Sequence, residues 1–197
     1  MKAIFFDLDG TLLHLTQEYR EVLTDTFSAV LGESREEWIE LYNQAFYDSF
    51  KAHEPNPYLD GFSAVNTQAD PERLIETLRN REIAMCQPPE NAHSDLDRLA
   101  ESFKLGILTN GLPDWQMQKL RAYDLEQYFD VFVASYDVGM HKPHVSPFHT
   151  AEKRLPADSY AMIGDSDADI DGATDAGWTT HRYQGDGFVR LPDTLDW

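Results

Sequence analysis

Asp7 and Asp9 stand two residues apart at the end of an apolar run, Lys2-Ala-Ile-Phe-Phe-Asp-Leu-Asp9, which Gly10-Thr11 closes. In a β-strand, side chains two apart project to the same face, roughly 7 Å from each other. Two carboxylates facing one space repel, so a buried arrangement of this kind calls for a cation or a shared proton. The competing reading is an ordinary turn in which one Asp caps and the other is exposed. The end of a strand in an open parallel sheet is also where such sheets bind ligands.

A second acidic group, Gly164-Asp165-Ser-Asp167-Ala-Asp169-Ile-Asp171, follows another apolar run. If a helix begins near Ser166, Asp165 and Asp169 come to the same side of its first turn and offer oxygens to a hard cation such as Mg2+. Acidic residues also favour helix N-termini without any ligand, and Asp167 and Asp171 are assigned to that role; Asp169 fits either. Thr109-Asn110-Gly111 supplies a hydroxyl, an amide and a backbone that a ligand can approach closely. Lys142, in Gly139-Met-His-Lys-Pro143, is one of few lysines in a very acidic chain. A cation is what a phosphate among carboxylates needs, although a surface lysine reads the same way in isolation.

These residues need a scaffold. Besides the N-terminal run, residues 104–109, 131–134 and 160–164 read as buried strands, and 178–182 as a weaker one. Helical patterns at 113–123, 145–154 and 167–176 alternate with them, as a parallel sheet requires. From about 15 to 86 the chain differs, with helical periodicity over 17–31, 35–52 and 71–85 and no strand between. Thr16 and Ser34 are the expected N-caps, Ser34-Arg-Glu-Glu37 matching a capping box. Pro55, Pro57, Gly61 and Pro88-Pro89 interrupt the helices, and the tail after about 183 reads as irregular. The reading is an α/β protein with an all-helical insert after its first strand. The aromatic stretch Phe46, Tyr47, Phe50, His53, Tyr58 and Phe62 is assigned to packing within that insert, with His53 and Tyr58 the first to test for substrate selection.

Composition narrows the class of function. The 197 residues suffice for one domain with an insert, and no apolar run approaches the roughly 18 residues of a membrane span. A formal charge of -19, from 35 acidic against 16 basic residues, argues against nucleic acid or an anionic membrane as partner. Only six of the basic residues are lysines, which makes a high-salt cytoplasm a hypothesis for the acidity. The N-terminus lacks a signal-peptide pattern, so a cytoplasmic location is expected. The single cysteine, Cys86, permits no internal disulfide and reads as a small buried hydrophobe.

Taken in order, Asp7-Leu-Asp-Gly-Thr11, Leu108-Thr-Asn-Gly111, His141-Lys-Pro143 and Gly164-Asp165 with Asp169 resemble the four motifs of the haloacid-dehalogenase-like superfamily. The resemblance implies a Rossmann-like, three-layer parallel-sheet core over 1–14 and 87–197, with an inserted helical cap over 15–86. It implies a Mg2+-dependent phosphatase of a small phosphorylated metabolite. Asp7 is then the nucleophile that forms an aspartyl-phosphate, and Asp9 the acid and base. Thr109 and Lys142 hold the phosphoryl oxygens, with Asn110 and Gly111 adding amide hydrogen bonds. Mg2+ takes Asp7, the main-chain carbonyl of Asp9, and Asp165 supported by Asp169.

Two departures from the family pattern stand out. The shorter spacing in the last motif leaves Asp167 as a substitute for Asp169, and His144-Val145 replaces the usual Asp-Pro, weakening the helix-start signal there. Within the same fold the alternatives are a 2-haloacid dehalogenase and a phosphosugar mutase, and Asp9 together with Asp165 favours phosphoryl transfer over the dehalogenase. The alternative of another class is a non-catalytic metal-binding interaction protein. Monomer and homodimer stay equally open.

Overall fold

The computed structural model describes residues 1–196. Five strands form one parallel sheet: β1 (Ala3–Phe6), β4 (Lys104–Thr109), β5 (Val131–Ala134), β6 (Tyr160–Gly164) and β7 (Thr179–Arg182), in the order β5-β4-β1-β6-β7. Helices α5 (Ala92–Ala100), α6 (Pro113–Ala122), α7 (Ser135–Val138), α8 (Val145–Arg154) and α9 (Asp167–Asp175) fill the connections. β1 is central because all four of its residues are apolar and fully buried. Side chains alternate along it: Phe5 joins Leu108, Val133, Phe148, Met162 and Trp178 on one face, while Phe6 meets Phe129 and Phe188 on the other. Burying each such ring stabilises the fold by about 1.5–3 kcal/mol. Because β1, β4 and β6 run parallel and in register, the residues just after Phe6, Thr109 and Gly164 arrive at one edge of the sheet.

The chain divides into two compact units, Met1–His14 with Gln87 onward, and Leu15–Cys86. The two crossings, β2 (His14–Leu15) and β3 (Cys86–Gln87), pair as a two-stranded ribbon. The second unit is helical throughout, with α1 (Tyr19–Leu31), α2 (Glu36–Lys51), α3 (Pro57–Ala64) and α4 (Pro71–Met85). Its core holds Phe27, Tyr42 and Phe62, the Phe62 ring meeting both of the others. Phe46 packs on Tyr42, Tyr47, Phe50 and Tyr58, so these aromatics do pack among themselves. Among the described residues no helix is long and apolar enough to cross a membrane.

Several local expectations need correction. The first strand ends at Phe6 rather than carrying Asp7 and Asp9, so those two side chains are placed by a turn and not by strand alternation. Thr16 does not cap α1: its Oγ1 and N–H both donate to the Met85 carbonyl, tying the two crossings together, and Glu18 stands at the cap position. Ser34 forms no capping box, since α2 begins one residue later with Arg35 at its N-cap. There the Arg35 guanidinium bonds Glu33 and lies over the Trp38 ring, which sets the entry. Helix α3 occupies the stretch that the sequence pattern marks as a break. Pro57 instead opens it, where its missing N–H costs nothing, and Gly61 lets the Tyr42 ring press on its backbone, 2.8 Å from where a Cβ would stand. His144 restores the start signal of α8, its ring Nδ1 accepting from the Ser146 N–H at 3.1 Å. Helix α5 follows the Pro88-Pro89 pair where the sequence pattern marks no element. Among the described residues the tail has no helix or strand, yet Tyr183, Phe188, Leu191 and Leu195 are buried. Arg98 holds it by donating to the carbonyls of Phe188 and Leu191 at 2.9 and 2.6 Å.

Candidate active site

The carboxylate of Asp7 sits immediately beyond β1, 8% exposed, with its Oδ1 accepting from the Leu8 N–H at 2.8 Å. That local bond bends the chain out of the strand. Lys142 reaches the same oxygen at 3.0 Å and is itself buried. All three ammonium donors are used, the others going to Asp169 Oδ1 at 2.5 Å and the Leu108 carbonyl at 2.8 Å. Lys142 is brought there by Asn110, whose Oδ1 accepts from the Lys142 N–H at 2.8 Å and whose Nδ2 donates to the Lys142 carbonyl at 3.1 Å. The Gly111 N–H donates to Ser135 Oγ at 3.0 Å, and that hydroxyl also meets His141 Nδ1 at 2.7 Å. Where phosphate contacts were expected of Asn110 and Gly111, then, both the Asn110 side chain and the Gly111 N–H are engaged in fixing the loop that carries Lys142.

Asp165 and Asp169 straddle the start of α9 just after β6. Asp169 is fully buried and closes a capping box with Ser166: the Ser166 N–H and Oγ donate to Asp169 Oδ2 at 3.1 and 2.6 Å, and the Asp169 N–H donates back to Ser166 Oγ. With Lys142 on its other oxygen, Asp169 has a fixed rotamer. Gly164 permits this, because a Cβ there would lie 2.4 Å from the Asp169 side chain. Asp165 is exposed and receives the Thr11 hydroxyl at 3.2 Å. Gly10, in the left-handed region at φ 85°, makes room for it. Asp167 points elsewhere, to Arg182 at 2.5 Å, and does not join the group.

Asp7, Asp165 and Asp169 each offer one oxygen, and these lie within 4.8 Å of one another. Burial pushes the Asp7 carboxyl up to about 7; Lys142 works against that rise, while Asp169 and Asp9 add to it. Lys142 ends above its ordinary range, because Asp7 and Asp169 outweigh the burial that opposes its charge. One lysine thus leaves the carboxylates undercompensated. Clustered hard oxygens with excess negative charge are a donor set that fits Mg2+.

Asp9 lies on the open side of the turn, its side chain 48% exposed. Lys119 Nζ meets its Oδ1 at 2.9 Å and Gln116 Nε2 its Oδ2 at 2.7 Å. Gln116 Nε2 also lies 3.1 Å from Thr109 Oγ1, so Asp9 and the buried Thr109 share a donor. Gln116, Lys119, Ser135 and Ser166 were not singled out in the sequence. Two signals were available: Gln116 and Lys119 are three apart on the helix that follows Thr-Asn-Gly, and Ser166-x-x-Asp169 has capping-box spacing.

Residues 4–182 match the family model of the haloacid dehalogenase-like hydrolases. The chain belongs to this family. The hydrolase is 28% identical to the pyrophosphatase PpaX of Halalkalibacterium halodurans, over 100% of this chain and 96% of that protein. It is 30% identical to the glyceraldehyde 3-phosphate phosphatase of Methanocaldococcus jannaschii, covering 92% of this chain and 84% of the relative. Among solved structures, the HAD-hydrolase YfnB of Bacillus subtilis, in a form bound to magnesium, superposes with a TM-score of 0.70 at 26% identity. That match covers 99% of this chain and 91% of the other.

Proposed function

We propose that this hydrolase is a Mg2+-dependent phosphatase that cleaves a small phosphorylated metabolite, a phosphomonoester, through an aspartyl-phosphate on Asp7. The observation that carries the reading is the setting of Asp7: a buried carboxylate with a lysine on Oδ1, two further carboxylates within metal-sharing reach, and a separate acid two residues on. A dehalogenase attacking carbon has no use for the last two features. The pyrophosphatase and phosphatase relatives support phosphorus as the target.

Asp7 supplies the electron pair that forms the new O–P bond as the bond from phosphorus to the leaving oxygen breaks. Asp9, protonated for this step, gives its proton to that oxygen, so the leaving group departs as a neutral alcohol. In the second step Asp9 takes a proton from water as the water oxygen bonds phosphorus. The O–P bond to Asp7 breaks and its electron pair returns to the carboxylate. Thr109 holds a phosphoryl oxygen, while Lys142, whose three donors are already engaged, draws the phosphoryl group by its charge and offsets part of the burial that opposes the charge on Asp7. Asn110, Gly111 and Asp169 keep Lys142 in place. Mg2+, held by Asp7, the Asp9 carbonyl and Asp165 with Asp169 behind them, would neutralise phosphoryl charge as it develops.

The test is phosphate release from a panel of phosphorylated metabolites, with and without Mg2+, for the wild type, Asp7→Asn and Asp9→Asn. Mg2+-dependent release is expected, lost by about 10³-fold or more in Asp7→Asn and by roughly 10²–10⁴-fold in Asp9→Asn. Halide release from haloacids without Mg2+ would overturn the proposal in favour of a dehalogenase. Silence on every substrate would favour a binding protein.

A further inference from the structure

Two of the six lysines in this acidic chain are buried against the two aspartates of its first motif. Lys142 serves Asp7. Lys119, 2% exposed in the second turn of α6, serves Asp9. Putting an ammonium group inside a protein is costly unless a partner meets it, and here the partner is a carboxylate that is itself half open to solvent. An exposed Asp paired with an exposed Lys would be held loosely. In this case the lysine end is fixed by packing, so the pair restricts the aspartate.

Gln116 restricts it further. Its Nε2 faces Asp9 Oδ2, Thr109 Oγ1 and, at 3.4 Å, the Asn110 carbonyl. Reversing the amide would set Oε1 against the carboxylate, so the charge on Asp9 chooses the orientation even though Oε1 is then buried without a hydrogen bond. The amide stands where Gly111 leaves space, since a Cβ there would lie 2.9 Å from Gln116 Cγ and Nε2. Asp9 therefore has one donor on each oxygen, both from α6, and each oxygen keeps a further lone pair for a proton.

We infer that Gln116 and Lys119 are positioning residues that hold the Asp9 carboxylate where a leaving oxygen must meet it, and that α6 is the element setting the geometry of proton transfer. The inference rests on the role proposed for Asp9. A general acid has to stand within hydrogen-bond reach of the oxygen it protonates, and a misplacement of about 1 Å costs on the order of 100-fold.

The test compares kcat/KM, with Mg2+ present, for p-nitrophenyl phosphate, whose leaving group needs no proton, and for glycerol phosphate, whose leaving group does. Lys119→Met should lose roughly 10- to 100-fold on glycerol phosphate and less than about 3-fold on p-nitrophenyl phosphate. In an Asp9→Asn background the substitution should have no further effect on either. Lys119→Gln takes its place if the apolar variant does not fold. Equal losses on both donors, no loss, or a loss that persists in the Asp9→Asn background would each overturn the positioning role while leaving the phosphatase reading intact. The failure of that reading looks different: a wild type inert towards both donors, or an Asp9→Asn variant that loses equally on both, removes the acid and the inference with it.

Discussion

The two sides of the turn after β1 place chemically identical groups in opposite surroundings. On the inner side Asp7 is buried, and its lysine is shared with a second buried carboxylate, Asp169. On the outer side Asp9 is half exposed and has a lysine of its own. The inner group is raised to about 7, first by burial. A carboxylate that has lost its water and lacks full compensation is stabilised by any partner that takes up its charge, whether a cation or an electrophilic phosphorus. One that keeps contact with solvent and is steered from a neighbouring helix suits proton exchange with water and with a leaving group. Environments that differ around like residues are how one motif comes to hold two roles.

The contrast can be broken most severely at Lys142. Lys142→Met leaves Asp7 and Asp169 buried and unpaired, which costs about 3–5 kcal/mol, on the order of a 10 °C fall in thermal midpoint. Calorimetry without Mg2+ would measure it, and a loss as small as that of an exposed lysine would show that the inner side is wetter than described. A metal should then restore part of what the carboxylates lack. At a hundredfold excess over its dissociation constant Mg2+ should add about 2.7 kcal/mol to the stability of the wild type, and much less to that of Asp165→Asn, read by thermal shift with no substrate present.

The smallest effect sharpens the comparison through pH. The folded-state value for Asp7 lies above the unfolded one, so the folded protein binds the extra proton between the ordinary value of 3.8 and about 7. Stability of the metal-free protein should therefore fall as pH rises through that window. Relative to Asp7→Asn, the wild type should lose roughly 1–2 kcal/mol across it. Denaturant titrations of both proteins at the two ends of the window provide the measurement, and parallel slopes would contradict the burial of Asp7.

How much of this was legible in the sequence depended on whether the signal was local. The parallel strands announced themselves as apolar runs, and the helical stretch between Leu15 and Cys86 by its periodicity. Asp7, Asp165, Thr109 and Lys142 come together because Asp7 and Asp165 directly follow, and Thr109 ends, strands of one parallel sheet. Contacts made across the fold were not readable. Nothing near Asn110 indicates that its amide grips the main chain of Lys142, and nothing near Asp9 points to a helix more than a hundred residues on. The cap failed at Thr16 for the same reason, a tertiary partner, the Met85 carbonyl, taking up its hydroxyl, whereas at Ser34 the cause is local: Arg35 takes the N-cap position and lays its guanidinium over the Trp38 ring. His144 shows the reverse, a residue outside the usual capping set that caps because its ring nitrogen is in reach.

The central claim is that Asp7 accepts the phosphoryl group. Rapid acid quench of the enzyme during turnover with Mg2+ and p-nitrophenyl phosphate, followed by peptide mass spectrometry, tests it directly. The account predicts one phosphoryl group on the peptide containing Asp7, removed by hydroxylamine and absent from Asp7→Asn. Phosphate release at full rate with no covalent adduct at any quench time, or an adduct on another residue, would contradict it.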